Sequence, residues 1–159
     1  MLHEAADRIG SLAGDILKRS PVYESPPWGF DHPVAFLNQA LEVKTDHSPQ
    51  ELLTILLDIE RSLGRTGNKG TYEARTIDID ILLYDDIILS TKDLIIPHPR
   101  MHLRRFTMKP IADFAPGMIH PVLGKSMEEL LRTCKDKDTI RKPGESEYRL
   151  IDKEAGDAV

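Results

Sequence analysis

Residues 75–83 read Arg-Thr-Ile-Asp-Ile-Asp-Ile-Leu-Leu, an alternation of apolar and acidic side chains with a period of two. Successive side chains on an extended chain point to opposite faces. Ile77, Ile79 and Ile81 therefore share one face and Asp78 and Asp80 the other, and the stretch is predicted to be a β-strand. Carboxylates are uncommon in strands and costly to desolvate unpaired, so two of them on one face call for cations. A divalent metal, or a pair of metals held against a polyanion, meets that need. An isolated D-x-D is more often a solvated strand face, by roughly two to one, and its surroundings have to decide.

Composition narrows the setting. The chain has 159 residues, 40% of them hydrophobic, which suits one globular unit with a real core. With a formal net charge of −5, nothing in the bulk composition suggests a nucleic-acid carrier or a basic membrane-surface protein, so any anion site must be local. Cys134, the only cysteine, cannot form an internal disulfide and points to a reducing, cytoplasmic compartment. No apolar run approaches the roughly 20 residues that span a bilayer, and Glu4, Asp7 and Arg8 interrupt any signal-peptide core.

Along the chain, Leu2, Ala5, Ala6, Ile9, Leu12 and Ala13 recur at helical spacing, ending near Gly14. Ile16 to Tyr23 reads as a strand that enters a Pro- and Gly-bearing loop at Glu24–Phe30, and Val34 to Lys44 as another, with Phe36, Asn38 and Ala40 on one face. Ser48-Pro49-Gln50-Glu51 is a capping box with proline at the first helical position, and the helix it opens stops at Gly64. Arg65 to Ala74 carries Gly67, Asn68 and Gly70 and reads as a mobile loop leading into the Asp78/Asp80 strand. Asp85-Asp86 makes a turn before a returning strand at Ile87–Leu89, and short helices follow near Lys109–Phe114 and Ser126–Cys134. The pattern is α+β, with helices on a largely antiparallel sheet over residues 1–135 and a charged, peripheral tail over 136–159.

Cations gather around the acidic pair. Arg61, Arg65, Lys69 and Arg75 stand against Glu73, and His98, Arg100, His102, Arg104 and Arg105 form a second group. Guanidinium groups grip phosphate oxygens in a fork, and glycine-bearing loops can close over a ligand. Taken singly, the loop is a plain connector, the histidines are structural, and Phe36 and Phe106 belong to a core. Taken together with D-x-D, they describe a site for a metal-bound oligophosphate.

Five segments stand in a fixed order between about Ala5 and Cys134: Ser25-Pro26-Pro27-Trp28-Gly29, Phe36-Leu37-Asn38, Ile59-Glu60 with Gly64-Arg65, Arg75 to Asp80, and Ile96-Pro97-His98-Pro99-Arg100 through Arg104-Arg105-Phe106. In order and spacing they resemble the 6-hydroxymethyl-7,8-dihydropterin pyrophosphokinase family. The resemblance implies a ferredoxin-like sandwich. It also implies transfer of the β,γ-diphosphate of ATP to the hydroxymethyl group of a dihydropterin, releasing AMP, in folate biosynthesis. It assigns Asp78 and Asp80 to two Mg²⁺ ions and Arg65 and Arg75 to the transferred group, with His98, Arg104, Lys69 and Glu60 on the nucleotide side. Phe36 and Phe106 would sandwich the pterin, Asn38 would bond its amide edge, and Ser25, Pro26 and Trp28 would line the same ring. The expected partners are these small molecules alone, with no nucleic acid and no membrane, on a monomer or weak dimer.

Two departures from the family pattern stand out. The family opens with a strand ending in Gly-Ser-Asn that nothing before Leu2 supplies. The expectation is either a natural start upstream, with Met1 internal, or an open sheet with little activity. Thr71-Tyr72-Glu73-Ala74 stands where the family has a basic residue and Gly-Pro, and Lys69 is expected to supply the missing charge. A nucleotidyltransferase, or a non-catalytic nucleotide-binding module of ferredoxin-like fold, are the competing readings.

Overall fold

The computed structural model describes residues 1–26, 35–64 and 77–143. Their elements run α1 (Leu2–Leu12), β1 (Asp15–Arg19), β2 (Tyr23–Ser25), β3 (Phe36–Asn38), β4 (Leu41–Lys44), α2 (Pro49–Ser62), β5 (Leu89–Ser90), β6 (Ile95–Ile96), α3 (Arg105–Phe114) and α4 (Met127–Arg132), with a 3-10 turn at Met101–Leu103. Helices and antiparallel strand pairs are mixed, as an α+β chain requires. The described residues divide into two compact units, one of 1–18, 41–64, 77–99 and 120–124, the other of 19–26, 35–40, 100–119 and 125–143.

In the first unit, α1 and α2 pack on each other through the apolar stripes that the sequence displays. The reciprocal cap at the start of α2 forms as read: Ser48 N–H donates to Glu51 Oε2 at 2.8 Å and Glu51 N–H to Ser48 Oγ at 3.2 Å. Ala5, Ile9 and Ala13 meet Leu56, Ile59 and Leu63, and Ile77, Ile81, Leu94 and Ile96 close the same core. Gly14 follows α1 at φ +154°, where a Cβ would lie 2.1 Å from the Lys44 carbonyl oxygen, so only glycine fits between α1 and β4.

The strands depart from expectation in two places. The stretches 16–23 and 34–44 are each divided, giving β1 with β2 and β3 with β4; β1 pairs with β4 and β2 with β3. The breaks face each other at Ser20 and Ala40. Ser20 N–H donates to Ala40 O at 2.9 Å, but Ala40 N–H turns to Ser20 Oγ at 2.9 Å, and Gln39 Nε2 takes the Ser20 carbonyl at 2.9 Å. Side chains replace ladder bonds next to Pro21, which has no N–H to contribute. The second difference concerns residues 77–84, which join no ladder among the described residues. Ile79 N–H donates to a side chain, Glu60 Oε1, at 2.7 Å, and the Leu82 carbonyl accepts the His98 N–H at 2.8 Å. The hairpin that follows starts later than read, at Leu89, and α3 starts earlier, at Arg105.

In the second unit α3 packs against α4, β2 and β3 over buried Met101, Met108, Ile111, Met127 and Leu130. The Tyr23 hydroxyl donates to the Asp113 carboxylate, and Lys109 Nζ reaches the same group at 2.8 Å. Burial pushes the Asp113 carboxyl up, yet the hydrogen bonds from Lys109 and Tyr23 and the charges of Lys109 and Lys142 outweigh it and hold the group below its ordinary value.

Gly14→Ala is expected to destabilise the chain by about 1–3 kcal/mol through strain and collision with Lys44 O, seen as a lower denaturant midpoint. An unchanged midpoint would show that the α1–β4 connection relaxes freely.

Candidate active site

The acidic edge is built by the burial of its neighbours. Ile77 and Ile81 are 8% and 9% exposed in the first unit's core and Ile79 packs beside them, while Asp78 and Asp80 are exposed. Shifting the segment by one residue would expose two isoleucines, at about 1.5–3 kcal/mol each, and bury two carboxylates, so the orientation has no competitor. The alternation read from the sequence thus survives although the segment joins no ladder among the described residues.

Glu60 acts from beneath. It is 3% exposed, and its carboxylate accepts the N–H of Ile79, the residue between the two aspartates. The resemblance grouped Glu60 with the nucleotide side; in the structure its bond goes to the backbone that carries Asp78 and Asp80. A signal was available in the sequence: Leu56, Ile59, Glu60 and Leu63 follow i, i+3, i+4, i+7, which sets a glutamate on the apolar face of α2. His98 comes next to the edge, with Nε2 4.0 Å from Asp80 Oδ2 and its side chain 21% exposed against 55% for Asp80.

The second unit gathers the aromatic and amide candidates. Ser25 faces Phe36 in the β2–β3 register and Tyr23 faces Asn38. Phe36 and Asn38, two apart on a strand, project to one face. Asn38 Nδ2 donates to Ser25 Oγ at 2.8 Å and to the Phe36 carbonyl at 3.3 Å, which uses both amide N–H groups within the protein. Phe106, half-buried, is the second residue of α3, which packs on both strands. Arg104 immediately precedes α3, its guanidinium carbon 5.7 Å from the Phe106 ring centroid. Its Nε is buried with no acceptor among the described residues, a donor that an anionic ligand would satisfy. Pro26 is exposed just beyond β2, while Trp28, Arg65, Lys69 and Arg75 lie outside the described residues.

Two exposed carboxylates suit Mg²⁺, which prefers oxygen ligands, keeps several waters, and takes one or two carboxylates together with substrate phosphates. Among the described residues no three His, Cys, Asp or Glu are placed to hold a metal by themselves. The acidic edge supplies two carboxylates, which suits a metal whose other ligands are waters and phosphate oxygens.

The family model described as 7,8-dihydro-6-hydroxymethylpterin-pyrophosphokinase matches residues 1–116. The chain belongs to this family. It is 43% identical over 115 residues to the 2-amino-4-hydroxy-6-hydroxymethyldihydropteridine pyrophosphokinase of Aquifex aeolicus, covering 72% of this chain and 71% of the relative. The Porphyromonas gingivalis protein of the same name is 40% identical over 124 residues, 76% of this chain and 84% of its own. The folic acid synthesis protein of Pneumocystis carinii is 37% identical over 137 residues, 85% of this chain but only 18% of that much longer protein. All the site candidates quoted from the sequence fall within the residues that the family model matches.

Glu60→Ala should cost about 1–3 kcal/mol by leaving the Ile79 N–H without its acceptor, while Glu60→Gln, which keeps an oxygen there, should recover most of it. Urea unfolding of both variants checks this. Equal losses would mean that the charge, not the hydrogen bond, holds the segment.

Proposed function

We propose that this member of the pyrophosphokinase family transfers diphosphate from Mg²⁺-bound ATP to the hydroxymethyl group of 6-hydroxymethyl-7,8-dihydropterin, on a ferredoxin-like sandwich. The observation that carries the reading is the acidic edge, two exposed aspartates held over a buried isoleucine face, within a chain of this family. Asp78 and Asp80 hold two Mg²⁺ ions against the triphosphate. Bound there, the metal neutralises phosphate charge and lowers the cost of bringing an oxygen nucleophile to phosphorus.

In the transfer the pterin hydroxyl oxygen forms a bond to the β-phosphorus and loses its proton, while the bond from that phosphorus to the α-phosphate oxygen breaks and AMP leaves. Such chemistry asks the protein for alignment and charge compensation more than for covalent help. His98 and Arg104 take nucleotide phosphate oxygens, and the buried Nε of Arg104 supports that role by lacking another acceptor among the described residues. Arg65 and Arg75 act on the transferred group, and Lys69 on the nucleotide side. The flat heterocycle stacks between Phe36 and Phe106, and the Asn38 amide oxygen accepts from its polar edge, next to Ser25, Pro26 and Trp28.

The nucleotide product tests the proposal. With ATP, Mg²⁺ and hydroxymethyl-dihydropterin the chain should release AMP and form the pterin diphosphate; release of pyrophosphate would identify a nucleotidyltransferase instead. Asp80→Ala should lower turnover on the order of a hundredfold or more while leaving the thermal midpoint within a few degrees, and substantial activity at saturating Mg²⁺ would remove Asp80 from the site. Phe106→Ala should weaken pterin binding about two- to tenfold, the worth of one aromatic stack. Unchanged affinity would return that ring to the hydrophobic packing.

A further inference from the structure

The segment after α4 contributes two contacts to the unit that carries the pterin candidates, and both lie beyond the residues matched by the family model. Asp136 Oδ2 accepts the Arg105 N–H at 2.9 Å. No side chain of the preceding residue caps α3, so this carboxylate, thirty-one positions along the chain, serves one of the orphan donors of the helix. The carboxylate is itself fixed, because Oδ1 accepts the Asp138 N–H at 2.9 Å. Five residues on, Arg141 pairs with Glu24 across the edge of β2 that β3 does not use. Glu24 N–H donates to Arg141 O at 2.7 Å and Arg141 N–H to Glu24 O at 3.2 Å.

These two anchor points touch the backbone beside the substrate candidates. Arg105 lies between Arg104 and Phe106, and Glu24 lies next to Ser25. We propose that residues 136–141 form a strap that positions the pterin-binding side of the site, holding the start of α3 and the β2 strand in the relation that lets Phe106, Phe36, Asn38 and Ser25 meet one ring. Asp136 and Arg141 are positioning residues that act through backbone, Asp136 on the Arg105 N–H and Arg141 on the Glu24 N–H and carbonyl. A sequence reading misses them because the contacts are made by a cap supplied from a distance and by main-chain atoms, neither of which leaves a motif. The inference rests on the pterin reading given above.

The experiment measures pterin dissociation constants, with Mg²⁺ and a non-hydrolysable ATP analogue present, for the full chain and for Asp136→Ala, Asp136→Asn and Arg141→Pro. Arg141→Pro deletes the N–H that reaches Glu24, and Asp136→Asn keeps one acceptor for Arg105. The expected result is at least about fivefold weaker pterin binding for Asp136→Ala and Arg141→Pro, an intermediate value for Asp136→Asn, and a smaller change in affinity for the nucleotide analogue measured without pterin. Pterin affinity within about twofold of the parent in folded variants would overturn the strap, as would equal losses for both ligands, or failure of both Asp136→Ala and Arg141→Pro to fold. Failure of the unaltered chain to bind pterin would instead remove the functional reading itself.

Discussion

A buried glutamate under an exposed pair of aspartates is the constraint from which the rest of the site follows. Glu60, on the apolar face of α2, accepts the Ile79 N–H, and the isoleucines on either side of that residue sink into the core between α1 and α2. With the isoleucine face committed to burial, Asp78 and Asp80 have only one direction left. The carboxylates are therefore aimed outward by apolar burial and the Glu60–Ile79 backbone bond, an exposed pair of the kind that Mg²⁺ takes together with phosphate oxygens and water.

The second unit solves a different problem, the presentation of flat apolar faces beside a few polar atoms. Phe36 and Asn38 come to one face through strand geometry, Ser25 fixes the Asn38 amide, and α3 packs on both strands with Phe106 in its first turn. Arg104 joins them with a donor left unsatisfied inside the protein among the described residues. In the proposed function, stacking would supply area and the amide direction, so that modest energies per contact could select one heterocycle.

Much of this was legible in the chain. The capping box at Ser48–Glu51 and the stripe of α2 formed where periodicity placed them, because both signals are local and cooperative. The burial alternation of residues 77–81 also held, since it follows from side-chain direction on an extended backbone. What local patterns could not reveal were bonds between distant parts: Ser20 replacing ladder bonds at Ala40, Glu60 serving Ile79, and Asp136 reaching Arg105. The long strands at 16–23 and 34–44 read as continuous because apolar propensity does not register a side chain that intercepts the ladder. The outward placement of Asp78 and Asp80 was legible from the alternation, but the family took five segments in fixed order to specify.

The most direct test of the central claim is a crystal structure of the chain with Mg²⁺, a non-hydrolysable ATP analogue and the pterin. It should place carboxylate oxygens of both Asp78 and Asp80 at about 2.0–2.1 Å from Mg²⁺ that also contacts the triphosphate, with Ile77 and Ile81 still buried. Triphosphate and metal bound elsewhere, with both aspartates left in solvent, would contradict it.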